Sequence, residues 1–222
     1  MPKEHPGFID IYKVLRRRFG FLDWWPGNTP DEILIGAILT QNTSWKNVEK
    51  AITNLKRSHL LSVPNMSRAR TSIIERCIRP SGYYRQKAQR LKKVCEYILE
   101  NYGSLGKFLG KESAELREEL LSLKGIGLET ADSIILYAAE KPVFVIDAYT
   151  RRIVGRIYGE KEEKEYNVLQ QRIQNSIPKD TGLYNDFHAQ IVELGKNYCR
   201  KKPLCRDCPL LRICDFSLKN QY

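Results

Sequence analysis

Apolar residues recur at helical spacing through almost the whole chain before residue 200, with Pro and Gly as punctuation and few alternating β-branched runs. That period predicts an all-α fold. Thr29-Pro30-Asp31-Glu32 reads as an N-cap, a proline at the first helical position and acids in the first turn, opening a helix to about Thr40. Further helices are expected over 8–19, 44–58, 84–101, 113–123, 128–139, 166–177 and 183–198. In the helix over 84–101, Ala88, Leu91, Cys95, Ile98 and Leu99 form the inward stripe, with Arg85, Lys87, Arg90, Lys92 and Lys93 outside. Val143-Phe144-Val145-Ile146 is strand-like, but no other run can pair with it, so a buried extended lead into a helix starting near Asp147 is expected.

Composition narrows the function classes. The 222 residues suffice for one large domain or two small ones, with ample core. Lys and Arg number 37 against 26 Asp and Glu, a net +11 on a chain that is 42% hydrophobic and 28% charged. This excludes a disordered basic tail and points to a folded protein with a polyanionic partner, nucleic acid before a membrane surface. The longest apolar run, residues 33–39, is far short of the roughly 20 residues that cross a bilayer. With no signal-type segment at the N-terminus, a cytoplasmic protein is expected.

Two constellations carry chemistry. Cys199, Cys205, Cys208 and Cys214 have the spacing C-x5-C-x2-C-x5-C, with Arg200, Lys201, Lys202, Arg206 and Arg212 between and beside them. One close pair flanked by single cysteines suits a [4Fe–4S] cluster better than a zinc ribbon, with zinc and free thiols as the alternatives. Cys77 and Cys95 fall in helical patterns and read as core. The second constellation is the turn Lys124-Gly125-Ile126-Gly127, which joins two helices as a hairpin. Its glycines let backbone N–H groups approach a DNA phosphate, a weak signal alone because many helices end in Gly. Asp147 follows, at the start of a helix, where its plain reading is an N-cap.

These motifs in this order resemble the helix-hairpin-helix DNA glycosylases of the endonuclease III superfamily, over essentially the whole chain. Trp24-Trp25-Pro26, Leu39-Thr40-Gln41-Asn42-Thr43, Arg79-Pro80-Ser81-Gly82-Tyr83-Tyr84 and Phe187-His188 resemble the bacterial 3-methyladenine glycosylase branch, type III. The resemblance implies a six-helix barrel domain (28–141) and an iron–sulfur domain built from both chain ends (1–27 and 142–222), with double-stranded DNA in the cleft between them. It also implies a flipped nucleotide carrying a damaged or mismatched base, and a monomer associated with the nucleoid. One departure is in the cluster loop, which in the superfamily has six residues between the first two cysteines and here has five.

The second departure concerns mechanism. Bifunctional members carry a lysine two residues after the second hairpin glycine, whose amine forms a Schiff base with the sugar. Here that residue is Glu129, which cannot, so base excision without lyase activity is expected. Glu129 then either serves the pocket or is a first-turn acid favoured by the helix dipole. Asp147 is the expected carboxylate at the anomeric carbon. An N3-alkylated purine is a flat cation, and aromatic faces hold one at about 0.5 to 2 kcal/mol each. Trp24, Trp25 and Trp45 are candidates, with His188 either a pocket hydrogen-bonder or a core histidine. Gln41 matches the position that fills the hole left by flipping. Lys124, Gly125, Gly127, Arg79, Arg85 and Lys87 are the expected phosphate contacts, against a plain solvated face. Alternatives are a thymine or uracil mismatch glycosylase and a non-enzymatic iron–sulfur DNA-binding protein.

Overall fold

The structure is a computed structural model that describes residues 5–22, 27–160 and 165–220. Among these residues there is no β-strand, as the helical period predicts. Chain order gives α1 (Phe8–Phe19), α2 (Pro30–Leu39), α3 (Trp45–Arg57), α4 (Val63–Arg68), α5 (Thr71–Ile78), α6 (Tyr84–Tyr102) and α7 (Leu105–Leu109). There follow α8 (Ser113–Ser122), α9 (Leu128–Ser133) with a π-helical continuation (Ile134–Ala138), α10 (Ala148–Tyr158), α11 (Tyr166–Gln174), α12 (Thr181–Asn197) and α13 (Asp215–Lys219). Contacts divide the chain into two compact units, Trp25–Lys141 and Met1–Trp24 with Pro142–Tyr222.

In the unit Trp25–Lys141, the caps form as the sequence dictates: Thr29 Oγ1 accepts from Glu32 N and Pro30 opens α2. The buried stripe of α6, including Ala88, Leu91, Cys95 and Ile98, packs against α2, α4, α5 and α7. The structure adds three short helices, α4, α5 and α7, which the sequence does not signal because each spans too few turns for a clear helical period. The expected helix over 128–139 widens at Ile134, where Ala139 N donates to Ile134 O, and the whole π turn is buried.

The basic face expected on α6 is only partly exposed. Arg85 and Lys93 are exposed, whereas Lys87 is 2% exposed and donates to Leu39 O (2.8 Å) and Ser81 O (2.7 Å). Lys87 is therefore a structural tie between the end of α2 and the 79–81 turn, and not a phosphate contact. Lys92 likewise turns inward, onto Ser67 O and Ala69 O, and pairs with Glu96. Carbonyls left over at helix ends need donors, and these long cations supply them while their stems cover apolar surface.

In the unit Met1–Trp24 with Pro142–Tyr222, α12 packs on α1 and α10, and α13 packs on α10. Val143–Ile146 stays extended without a partner strand because α11 side chains satisfy its backbone. Gln174 Oε1 accepts from Phe144 N, Gln170 Nε2 donates to Phe144 O, and Tyr166 Oη accepts from Ile146 N. Phe144 itself sits edge-on to Tyr184 and Phe187 of α12. Asp186, 1% exposed, gathers Tyr12 Oη, Leu22 N, Gln190 Nε2 and the Arg16 guanidinium, fixing the N-terminal segment to α12.

Candidate active site

Around the hairpin, α8 ends at Ser122 and the chain turns through residues 123–127 into α9. Ile126 N donates to Leu123 O (3.0 Å), and the buried Ile126 side chain pins the turn from beneath. Gly125 adopts φ +90, a region that L side chains enter only with strain. The guanidinium of Arg90 occupies the space where a side chain at this position would start. Gly127 differs: its backbone is extended, and a Cβ there meets nothing within 4 Å. Lys124, Gly125, Gly127 and Glu129 are all exposed. The turn thus presents backbone, one ammonium and one carboxylate to solvent.

Gln41 lies against this turn. Its Nε2 donates to Gly125 O (3.1 Å) and to Thr130 Oγ1 (2.9 Å), while its Oε1 accepts from Arg90 Nη1. Neither Arg90 nor Thr130 was singled out as a partner of Gln41 by sequence reasoning. Their separations from it, 49 and 89 residues, carry no periodic signal. Trp45 is half-buried at the first position of α3, and Arg79 and Arg85 are exposed. Trp24 and Trp25 lie outside the described residues.

In the other unit, Asp147 is both the N-cap of α10 and a candidate reagent, because its two oxygens face different neighbours. Oδ1 accepts from Thr150 N (2.7 Å) and Thr150 Oγ1 (2.8 Å), whereas Oδ2 lies 3.7 Å from His188 Nε2. Close crossing of α10 and α12 brings these groups together: a Cβ on Gly195 would stand 2.2 Å from the Tyr149 ring. The His188 side chain is 4% exposed and that of Asp147 13%. Burial holds the His188 imidazolium below its ordinary pKa, and the Asp147 charge opposes this only in part. At neutral pH the histidine is therefore uncharged.

The cysteine loop closes the same unit. Cys205 is buried, and Cys199, Cys208 and Cys214 are half-buried. Burial, reinforced by the neighbouring thiols, raises the Cys205 thiol and pushes Cys208 up to about 12. Arg156, on α10, reaches the loop, donating to Cys199 Sγ (3.2 Å), Arg200 O and Lys201 O. Among the described residues, no three His, Cys, Asp or Glu side chains are grouped as for a single metal ion. The donor chemistry, four thiols from one loop and an arginine on one sulfur, fits an all-cysteine cluster.

Comparison with known proteins assigns the family. Residues 35–179 match the family described as the HhH-GPD superfamily base excision DNA repair protein. A provisionally named DNA repair glycosylase of Methanocaldococcus jannaschii is 46% identical over 206 residues, covering 92% of this chain and 94% of that one. Endonuclease III of Thermotoga maritima is 30% identical over 188 residues, covering 84% and 83%. The crystal structure of H. pylori 3-methyladenine DNA glycosylase bound to 1,N6-ethenoadenine superposes with a TM-score of 0.76 at 32% identity, covering 86% of this chain and 98% of that one. No helix among the described residues is long and apolar enough to cross a membrane. The chain belongs to the HhH-GPD superfamily of base excision DNA repair proteins and is a DNA glycosylase of that superfamily.

Proposed function

We propose that this glycosylase is monofunctional and removes alkylated purines, 3-methyladenine above all, from double-stranded DNA. The observation that carries the reading is the exposed carboxylate of Glu129 in the first turn of α9, where bifunctional relatives of the resembled kind hold an amine nucleophile. A carboxylate there cannot form the imine that precedes strand cleavage. It does place negative charge beside a cationic purine, which Trp24, Trp25 and Trp45 would hold by their aromatic faces. The similarity to the H. pylori enzyme supports the same substrate class.

Asp147 carries the chemistry. Oδ1 is held by Thr150, so Oδ2 is the oxygen left to face a sugar that develops positive charge. As the glycosidic bond breaks, its electron pair leaves with the base, which an N3-alkyl cation accepts without a general acid. Water bonds to C1′ and gives its proton to the carboxylate. His188 acts through Asp147 as a positioning residue, its buried, neutral ring packed behind the carboxylate. Gln41 fills the vacated stack, and Lys124, the hairpin glycines, Arg79 and Arg85 hold phosphates. Cys199, Cys205, Cys208 and Cys214 would hold a [4Fe–4S] cluster, which supplies structural closure of the basic loop. A monomer suffices for this work, at the nucleoid.

The test is a lesion panel of methylated DNA and T:G and U:G duplexes, read with and without alkali. Release of 3-methyladenine, with strand breaks only after alkali, is expected. Release from the mismatches alone would overturn the substrate, and breaks without alkali would overturn the monofunctional mechanism.

A further inference from the structure

The Gln41 amide is fully engaged within the protein. Its carbonyl oxygen accepts from Arg90, and its amide nitrogen donates to Gly125 O and Thr130 Oγ1, so the head group is bonded to α6, to the hairpin turn and to α9 at once. The backbone that carries it is held separately. Lys87 donates to Leu39 O and Ser81 O, Thr40 Oγ1 donates to Gly36 O (2.7 Å), and Asn42 is set in the left-handed region at φ +52. Any outward excursion is therefore one of side-chain torsions, and its opposing force is the set of bonds at the amide. A group needed in the duplex but bonded at home has an equilibrium set by the difference between the two sites.

We propose that Thr130 and Arg90 are positioning residues that stow the Gln41 amide on the hairpin, so that release of these bonds gates its insertion into DNA. The inference rests on the reading of Gln41 as the inserted residue. Thr130 is the informative partner, because it is 7% exposed, uncharged and can be replaced by the near-isosteric valine. Losing its acceptor removes one neutral hydrogen bond from the stowed state without changing the charge offered to phosphate. The arrangement also gives Gly125 a second duty, since any side chain there would expel the Arg90 guanidinium.

The experiment is stopped-flow fluorescence with protein in excess over a duplex carrying 2-aminopurine opposite a tetrahydrofuran abasic analogue, which needs no knowledge of the lesion. Thr130→Val should speed the first-order insertion phase about fivefold, equivalent to ~1 kcal/mol. Thr130→Ser, which keeps the hydroxyl, should match the wild type. Arg90→Met, read at saturating protein so that its lost charge affects encounter and not this step, should also speed the phase. In a Gln41→Ala background, Thr130→Val should change nothing. If Gln41→Ala leaves the phase intact, the insertion reading fails and the gate fails with it. If Gln41→Ala abolishes the phase but Thr130→Val and Arg90→Met leave its rate unchanged, the gate is wrong and the insertion reading stands.

Discussion

Replacing Asp147 separates its observed cap from its proposed catalytic duty, because the cap uses one oxygen and the proposed chemistry the charge. Asparagine keeps an Oδ1 that can accept from Thr150 N and Thr150 Oγ1, and Asn caps helices about as well as Asp. Alanine loses both bonds, at about 1 kcal/mol for a lost cap. For a chain of this length that is a fall in Tm of roughly 2–4 °C for Asp147→Ala, and less for Asp147→Asn. The catalytic loss should not follow stability. A charge aimed at a developing cation is worth on the order of 10²–10³ in rate, by analogy with single oxyanion-hole donors. Both variants should therefore fall by at least ~10²-fold in single-turnover base release, although only alanine is appreciably less stable. The charge also has a spectroscopic signature. Asp147 is the group that raises the His188 pKa against burial, so Asp147→Asn should push it lower still, visible by NMR among the three histidines. Base release by Asp147→Asn within about threefold of wild type would refute the catalytic assignment. A loss of stability in Asp147→Asn equal to that of alanine would refute the division between the two oxygens.

Other expectations concern parts of the molecule with distinct physical origins. Gly125→Ala should lower stability by about 2 kcal/mol, from the positive φ and the displaced Arg90, whereas Gly127→Ala should leave Tm unchanged but weaken binding to duplex DNA in a filter or anisotropy assay. Arg117→Met removes the guanidinium that clamps the fully buried Asp132 through two bonds of 2.6 and 3.1 Å, and should cost ~3–5 kcal/mol by urea denaturation. Burial lowers the Lys87 pKa from 10.5 to about 8. The unfolded chain therefore binds the extra proton between those values, and the stability of wild type relative to Lys87→Met should rise from pH 8 to 10.5; a flat or falling difference would contradict it. Purified protein should contain iron and acid-labile sulfide in equal amounts, lost in Cys208→Ser, and stoichiometric zinc without iron would rule the cluster out.

Local rules make part of this fold legible in the sequence. Thr29 with Pro30 marks the start of α2, and the twelve residues of α1 are bounded by Gly7 and Gly20. Both signals act over a single turn, where backbone sterics and capping decide the outcome without help from the rest of the chain. The extended Val143–Ile146 run illustrates the boundary of such rules. Its lack of a partner strand is visible in the sequence, but its solution, Gln170, Gln174 and Tyr166 serving as a side-chain surrogate, depends on how α11 packs.

Charge is where linear reasoning misleads most. Arg85, Lys87, Arg90 and Lys92 look alike in the sequence, yet the structure gives them four different fates: solvent, the carbonyls that end α2 and the 79–81 turn, the Gln41 amide, and the carbonyls at the end of α4 with Glu96. A periodic pattern says which side of a helix a residue occupies, but a long cation near the edge of that side goes wherever unpaired carbonyls are left. Those carbonyls belong to the ends of α2, α4 and the 79–81 turn, elements whose positions are fixed by packing. The net +11 therefore overstates the charge available to DNA. The proposed phosphate contacts, Arg79, Arg85 and Lys124 in one unit and the cysteine loop in the other, are fewer than the count of cations suggests, and the slope of log affinity against log salt should reflect this smaller set.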